Sequence, residues 1–209
     1  QYLGAINISN SHAPVLEGSA EIPINLASNF LISENRLYVA QADAGLTVVD
    51  ISTLSQPIKI TTVVTPLPIQ TVSISGNTAV VSSEGYGIYI IDLASLAVVG
   101  SYNYLSYTNL KVKDVLLNGN LAYVLYSGSY GNEIYRLSVI DVSSPSPRLI
   151  REVSRDYVSN YDKGYLLYAL TLYGNYLYVA RSYGPYANNS IEIFSVTSAA
   201  DPQSVAIYD

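Results

Sequence analysis

Short stretches of the chain alternate apolar and polar residues and stop on turn-forming ones. Phe30 and Ile32 precede Asn35, Val72 and Ile74 precede Asn77, Val115 and Leu117 precede Asn120, and Leu170 and Leu172 precede Asn175, each time at the same two spacings. A period of two predicts a strand with one buried face. Three of these Asn follow a glycine (Gly76, Gly119, Gly174), and the first follows Glu34. Gly-Asn between apolar runs is a two-residue hairpin signal, because tight hairpins need positive φ at a central position. After each turn come LYVA (37–40), AVVS (79–82), AYVL (122–125) and LYVA (177–180). These runs scarcely alternate, which predicts strands covered on both faces.

A third stretch is spelled LTVVDIS from Leu46, IYIIDLA from Ile88, LSVIDVS from Leu137 and, blurred, IEIFSVT from Ile191. Its variable second position holds Thr47, Tyr89, Ser138 and Glu192, which predicts a slot that reaches solvent. A fourth stretch opens with Pro57, Pro147 or Pro202, and the second copy (Leu96–Val99) lacks the proline. Proline cannot donate to a ladder, so it belongs at a strand start or on an edge. Each unit therefore reads as four short antiparallel strands. Repeats of this length without helical periodicity predict an all-β fold, a β-propeller of four-stranded blades, because such a sheet buries both faces only by stacking on copies of itself.

The front of the chain breaks the count. Asn7 and Pro14 in AINISNSHAPVLEGSAEI (5–22) share the seven-residue spacing of Asp50 and Pro57 in TVVDISTLSQPIKITTVV (47–64), so Asn7 falls on Asp50 and Pro14 on Pro57. The N-terminus thus supplies a third and fourth strand without a first and second. The expected division is a half blade at 1–26 and full blades at 27–66, 67–106, 107–156 and 157–209. Three explanations of the unmatched half stand open: a longer natural chain, strands exchanged with another polypeptide, or a hairpin packed on a four-bladed ring.

LTVVDIS, IYIIDLA and LSVIDVS resemble the LVIVD repeat, a β-propeller family found mainly in secreted and cell-surface proteins of bacteria and archaea. The fourth unit departs from it, with Ser195 in place of Asp. The resemblance implies a propeller and an exported protein. It implies no shared catalytic residues.

Composition narrows the function classes. Of 209 residues only 12% are charged, half the usual share of about 25%. Tyr occurs 21 times, while Cys, Met and Trp are absent, a composition that favours strands. The net charge is −6 with ten scattered Lys and Arg, so no basic stripe exists to neutralise phosphates and nucleic-acid binding is not expected. Without Cys there are no disulfides, thiolate metal sites or Cys nucleophiles. The longest uncharged stretch, Gly164–Ala180, is broken by Gly174-Asn175 and reads as two strands around a turn rather than as a membrane span.

Candidate site residues are few. Asp50, Asp92 and Asp141 recur, with Asn7 and Ser195 at the matching positions, and each suits a cap accepting backbone N–H groups of the next turn. Asn and Ser make the same hydrogen bond but are poorer cation ligands, so no metal or cofactor site is expected. His12 is the only histidine and reads as a solvated loop residue, which leaves triads and zinc sites without parts. Glu152, Asp156 and Asp162 share the segment REVSRDYVSNYDKG with Arg151, Arg155 and Lys163, which reads as a salt-bridged loop. Two Tyr-rich loops, YSGSYGNEIY (126–135) and RSYGPYANNS (181–190), offer Tyr126, Tyr130, Tyr183 and Tyr186 for glycan or protein contacts. Asn7 and Asn188 head glycosylation sequons.

The expectation is a non-enzymatic, extracellular or cell-surface structural or interaction protein, assembling through the unmatched half blade as part of a filament or surface layer. Its partners would be other copies of itself, the rest of a longer chain, or glycans. A carbohydrate- or protein-binding propeller is the second reading and a propeller hydrolase the third.

Overall fold

The computed structural model describes residues 2–21, 27–83, 85–103, 110–129, 133–157, 169–181 and 190–208. These residues form only antiparallel sheets, with no helix among them. A half sheet holds β1 (Tyr2–Asn7) and β2 (Val15–Glu21). Sheet 1 is β3 (Ala27–Ser33), β4 (Arg36–Gln41), β5 (Gly45–Asp50) and β6 (Ile58–Val63). Sheet 2 is β7 (Val72–Ser75), β8 (Thr78–Ser83), β9 (Gly87–Asp92) and β10 (Ala97–Asn103). Sheet 3 is β11 (Lys111–Asn118), β12 (Leu121–Ser129), β13 (Glu133–Asp141) and β14 (Arg148–Tyr157). Sheet 4 is β15 (Ala169–Tyr173), β16 (Tyr176–Arg181), β17 (Ser190–Ser195) and β18 (Gln203–Tyr208). In all four full sheets the strands lie side by side in chain order.

The predicted turns join first and second strands. Ser33 pairs with Arg36, Ser75 with Thr78, Asn118 with Leu121 and Tyr173 with Tyr176, leaving two residues in each loop. The first loop residue has φ near +55°: Glu34 at 54°, Gly76 at 56°, Gly119 at 57° and Gly174 at 57°. Positive φ at that position, and not at the Asn, is the hairpin geometry that glycine fills without strain, and Glu34 adopts it with a side chain. Each turn Asn then gives its carbonyl to the strand two places away. Ile51, Leu93, Val142 and Val196 donate their N–H to Asn35, Asn77, Asn120 and Asn175 at 2.8–2.9 Å. The turn and the exit of the third strand are thereby fixed together, which is why Asn and the strand-ending motif recur as a pair.

Every fourth strand, the half sheet's included, carries a β-bulge at one repeat position. The extra residue is Glu17, Ile60, Val99, Ile150 or Val205. A bulge increases local twist, and the residue after it meets the next sheet's loop between third and fourth strands. Gly18 lies against Leu54 and Ser55, and a Cβ at Gly100 would stand 2.6 Å from the Pro145 carbonyl. Arg151 pairs with Asp201 at 3.1 Å. The bulge thus seats the outer strands of the half sheet and of sheets 2 and 3 on their neighbours.

Sheets stack face to face, and the core is a series of interfaces. One cluster joins Tyr38, Leu46 and Val48 of sheet 1 to Val72, Val81 and Ile91 of sheet 2. A second joins Val80, Ile88 and Ile90 to Val115, Val124 and Ile140. A third joins Tyr123, Leu125 and Leu137 to Leu177, Val179 and Phe194. Against the half sheet, Leu37, Val39 and Val49 pack with Leu3. First strands also touch one another: β3 lies by β7, β7 by β11, and β11 by β15. Polar ties cross these contacts, with Leu117 N–H donating to Ser73 Oγ at 2.8 Å and Leu170 N–H to Asp114 Oδ2 at 2.8 Å. Burial pushes the Asp114 carboxyl above its ordinary value, against the pull of the Leu170 and Val115 N–H groups.

Three expectations need correction. The variable slot does not reach solvent: Thr47, Tyr89, Ser138 and Glu192 are all buried. The fourth strand covers it and answers its polarity, since Thr47 Oγ1 meets Thr62 Oγ1 at 2.7 Å and Ser204 Oγ donates to Glu192 at 2.7 Å. The described part of the segment from Arg151 is strand and not loop; Arg148–Tyr157 is strand β14, and Glu152 takes a part-buried ion pair at 2.6 Å from Arg136. Asp162 and Lys163 lie outside the described residues. Finally, Phe30 and Ile32 do not sit on a buried face, although Val72, Val115 and Leu117 at the same repeat positions do.

Candidate functional site

The recurring carboxylates are occupied by their own turns. Ser52 N–H donates to Asp50 at 2.8 Å, Ser95 N–H to Asp92 at 2.9 Å, and Ser143 N–H to Asp141 at 2.9 Å. Asn7 Oδ1 accepts from Ser9 N–H at 2.9 Å, and Ser195 Oγ meets Thr197 Oγ1 at 3.2 Å. Among the described residues no group of three or more His, Cys, Asp or Glu could hold a metal ion. The Ser52, Ser95 and Ser143 hydroxyls and backbone N–H groups hold the three Asp carboxyls below their ordinary value of 3.8.

A lowered folded-state pKa means that ionisation favours the fold. The contribution is complete above the unfolded value and disappears as pH falls through the folded one. Urea midpoints are therefore expected to drop as pH falls below the ordinary carboxyl range. The triple change Asp50→Asn, Asp92→Asn, Asp141→Asn keeps the acceptors and should flatten that decline. An unaltered acid limb would show that the caps do not titrate with folding.

Other candidates separate. Tyr126 is 1% exposed in the cluster between sheets 2 and 3, so it is a core residue and not a surface contact. Tyr130, Tyr183, Tyr186 and Asn188 lie outside the described residues. Asn7 also donates its side-chain amide to Glu17 at 2.9 Å. His12 is exposed in the loop between β1 and β2, its N–H donating to Asn10 Oδ1 at 3.2 Å.

The half sheet departs from its four counterparts. β1 is a third strand by register, hydrogen-bonded to β2 on one side only. Ile6 occupies the repeat position of Val49, Ile91, Ile140 and Phe194. Those four are 0% exposed, whereas Ile6 is 61% exposed. Ile8 matches Ile51, Leu93, Val142 and Val196, and is 73% exposed where Leu93 is 5%. Its N–H has no Asn carbonyl to meet among the described residues. On sheet 1 the facing strand shows the same deficit, Phe30 being 69% exposed and Val72 5%. A strand edge beside exposed Ile and Phe leaves backbone N–H and C=O groups without a neighbouring strand and apolar side chains in water. Sequence reading found the missing strands; it did not find that the exposure extends to β3.

The LVIVD repeat is matched at residues 26–65 and 169–184. No curated protein matches the chain. Among solved structures the computationally designed Ika4 protein is similar, with 14% identity and a TM-score of 0.57, over 82% of this chain and 92% of that one. The β-propeller domain of Myceliophteria thermophila Cps50 (Swd1) shows 13% identity and a TM-score of 0.57, over 90% of this chain and 56% of that one. The quinohemoprotein alcohol dehydrogenase of Comamonas testosteroni gives 10% identity and a TM-score of 0.65, with 89% and 35% covered. The chain thus spans little more than half and about a third of the last two. At these identities the likeness is one of fold: four-stranded propeller blades.

Proposed function

We propose that this chain is a non-enzymatic structural module of the cell exterior, a subunit of a filament or surface layer that joins its neighbour through the half sheet. One observation carries the reading: Ile6, on a strand paired on one side only, and Ile8 just beyond it stand largely in solvent, while their counterparts in the four full sheets are buried or partly buried. An exposed apolar strand edge is normally blunted by charge, proline or a covering element, and β1 (YLGAIN) contains neither charge nor proline. The capping Asp residues support a structural role, because their oxygens already serve backbone N–H groups. The LVIVD repeat, frequent in exported proteins, supports the location. No helix among the described residues is long and apolar enough to cross a membrane.

The test uses cells that produce the full chain. Protease applied to intact cells should digest it, and gently extracted surface material should hold it in particles far larger than one chain. Ile6→Lys with Ile8→Lys alters only solvated side chains, so folding should persist while the protein is released as single chains. Wild-type protein released as single chains, or a double variant that stays assembled, contradicts the reading.

A further inference from the structure

The open edge specifies what fills it, because the same molecule shows that place filled four times. In each full sheet the third strand is covered by a hairpin of one design: an alternating strand, a two-residue turn ending in Asn, and a strand of consecutive apolar residues. Exchange among copies of the described residues leaves the deficit in place. The described residues hold five second halves and four first halves, so each hairpin lent to one copy is lost from another.

Resting on the reading above, we propose that the half sheet's occupant is a β-hairpin of this first-half design, presented by a partner polypeptide. It pairs antiparallel with β1 through its second strand. Its turn Asn carbonyl accepts the Ile8 N–H, as Asn35, Asn77, Asn120 and Asn175 accept from Ile51, Leu93, Val142 and Val196. One face of the hairpin then closes over Phe30 and Ile32. The precedent is direct: Tyr38 and Ala40 of one such hairpin, with Leu31 beside them, form the surface on which Val72 and Ile74 of the next sheet are packed. Recognition is mainly through backbone pairing, with register set by apolar spacing and the Asn turn. The partner is thereby defined by pattern more than by particular side chains.

The chain's own second hairpin, residues 70–83, serves as probe. A labelled synthetic peptide of that sequence should bind the full chain saturably, one to one, and slow hydrogen exchange at the Ile8 amide. A peptide of second-half type, residues 45–63, should not. Phe30→Ser with Ile32→Ser should leave the free chain's unfolding midpoint unchanged and weaken binding at least tenfold. Because a short peptide can fail to form a hairpin, the same segment is also tethered to the chain by a flexible linker. It should raise the thermal midpoint over that of a scrambled tether. No effect from either peptide or tether overturns the proposal, as does undiminished binding by the double variant. Self-association of the chain that the unlabelled peptide dissolves would assign the edge to a second copy and likewise overturn it. If the hairpin fails while Ile6→Lys and Ile8→Lys still release the protein from surface particles, the assembly reading stands and only the partner's design is wrong.

Discussion

Gly87→Ala is expected to cost about 3 kcal/mol or more, enough to leave a large share of chains unfolded at mild denaturant concentrations. Gly87 opens β9 with φ of +148° and lies so close to β10 that a Cβ would strike the Tyr102 carbonyl oxygen. Two penalties combine. A non-glycine residue in such a backbone region costs about 1–3 kcal/mol, and forcing atoms into filled space adds about 1–3 kcal/mol. The colliding atom is backbone, held by ladder hydrogen bonds between β9 and β10, so it cannot swing aside. Gly45 repeats the arrangement in sheet 1, with φ of +101° and the Val63 carbonyl in the same place, and Gly45→Ala should behave alike. Gly174→Ala supplies the contrast. Its φ is +57° but nothing stands within 4 Å of the added carbon, so only backbone strain of about 1–2 kcal/mol is expected. Urea unfolding with an unchanged slope reports all three, and equal losses at Gly87 and Gly174 would mean that the close strand approach is absent.

The second large effect lies at a single repeat position. Ile91→Ala and Ile140→Ala remove fully buried side chains from inter-sheet clusters. Each should cost about 2–5 kcal/mol, the range for emptying a packed site of that size. Ile6 has the same place in the repeat but is mostly solvated, so Ile6→Ala should change stability by no more than about 0.5 kcal/mol. Local sequence is nearly the same at all three sites; what differs is the preceding sheet, which packs on Ile91 and Ile140 but leaves Ile6 exposed. Comparable losses at Ile6 and Ile91 would show that the half sheet is covered after all.

That contrast also marks what the sequence could reveal. The hairpins were legible because Gly-Asn has few conformational outlets, and each lies between apolar runs that need a turn. The third strands were legible because their strand-ending Asp or Ser is set by the same turn in every copy. The propeller followed from the repetition, and the solved structures share that fold. Burial was less accessible. Alternation at Phe30 and Ile32 reads as a buried face because they match Val72 and Ile74, yet burial depends on what stands opposite, and nothing local records the preceding sheet. Glu192 misled in the other direction: a charged residue in a variable slot suggests solvent, but Ser204 reaches it from the next strand. The bulges gave no periodic signal, since one extra residue in an edge strand leaves its apolar content unchanged. Tyr126 looked like the start of a loop, whereas β12 extends past it to Ser129.

The central claim is that four sheets are closed over their third strands by a hairpin and the half sheet is not. Amide hydrogen exchange, read residue by residue on the isolated chain, tests it most directly. The N–H groups of Ile51, Leu93, Val142 and Val196, each bonded to a turn Asn carbonyl, should exchange slowly, while Ile8 at the matching position exchanges near the rate of an open chain. Protection of Ile8 equal to that of the other four would contradict the account.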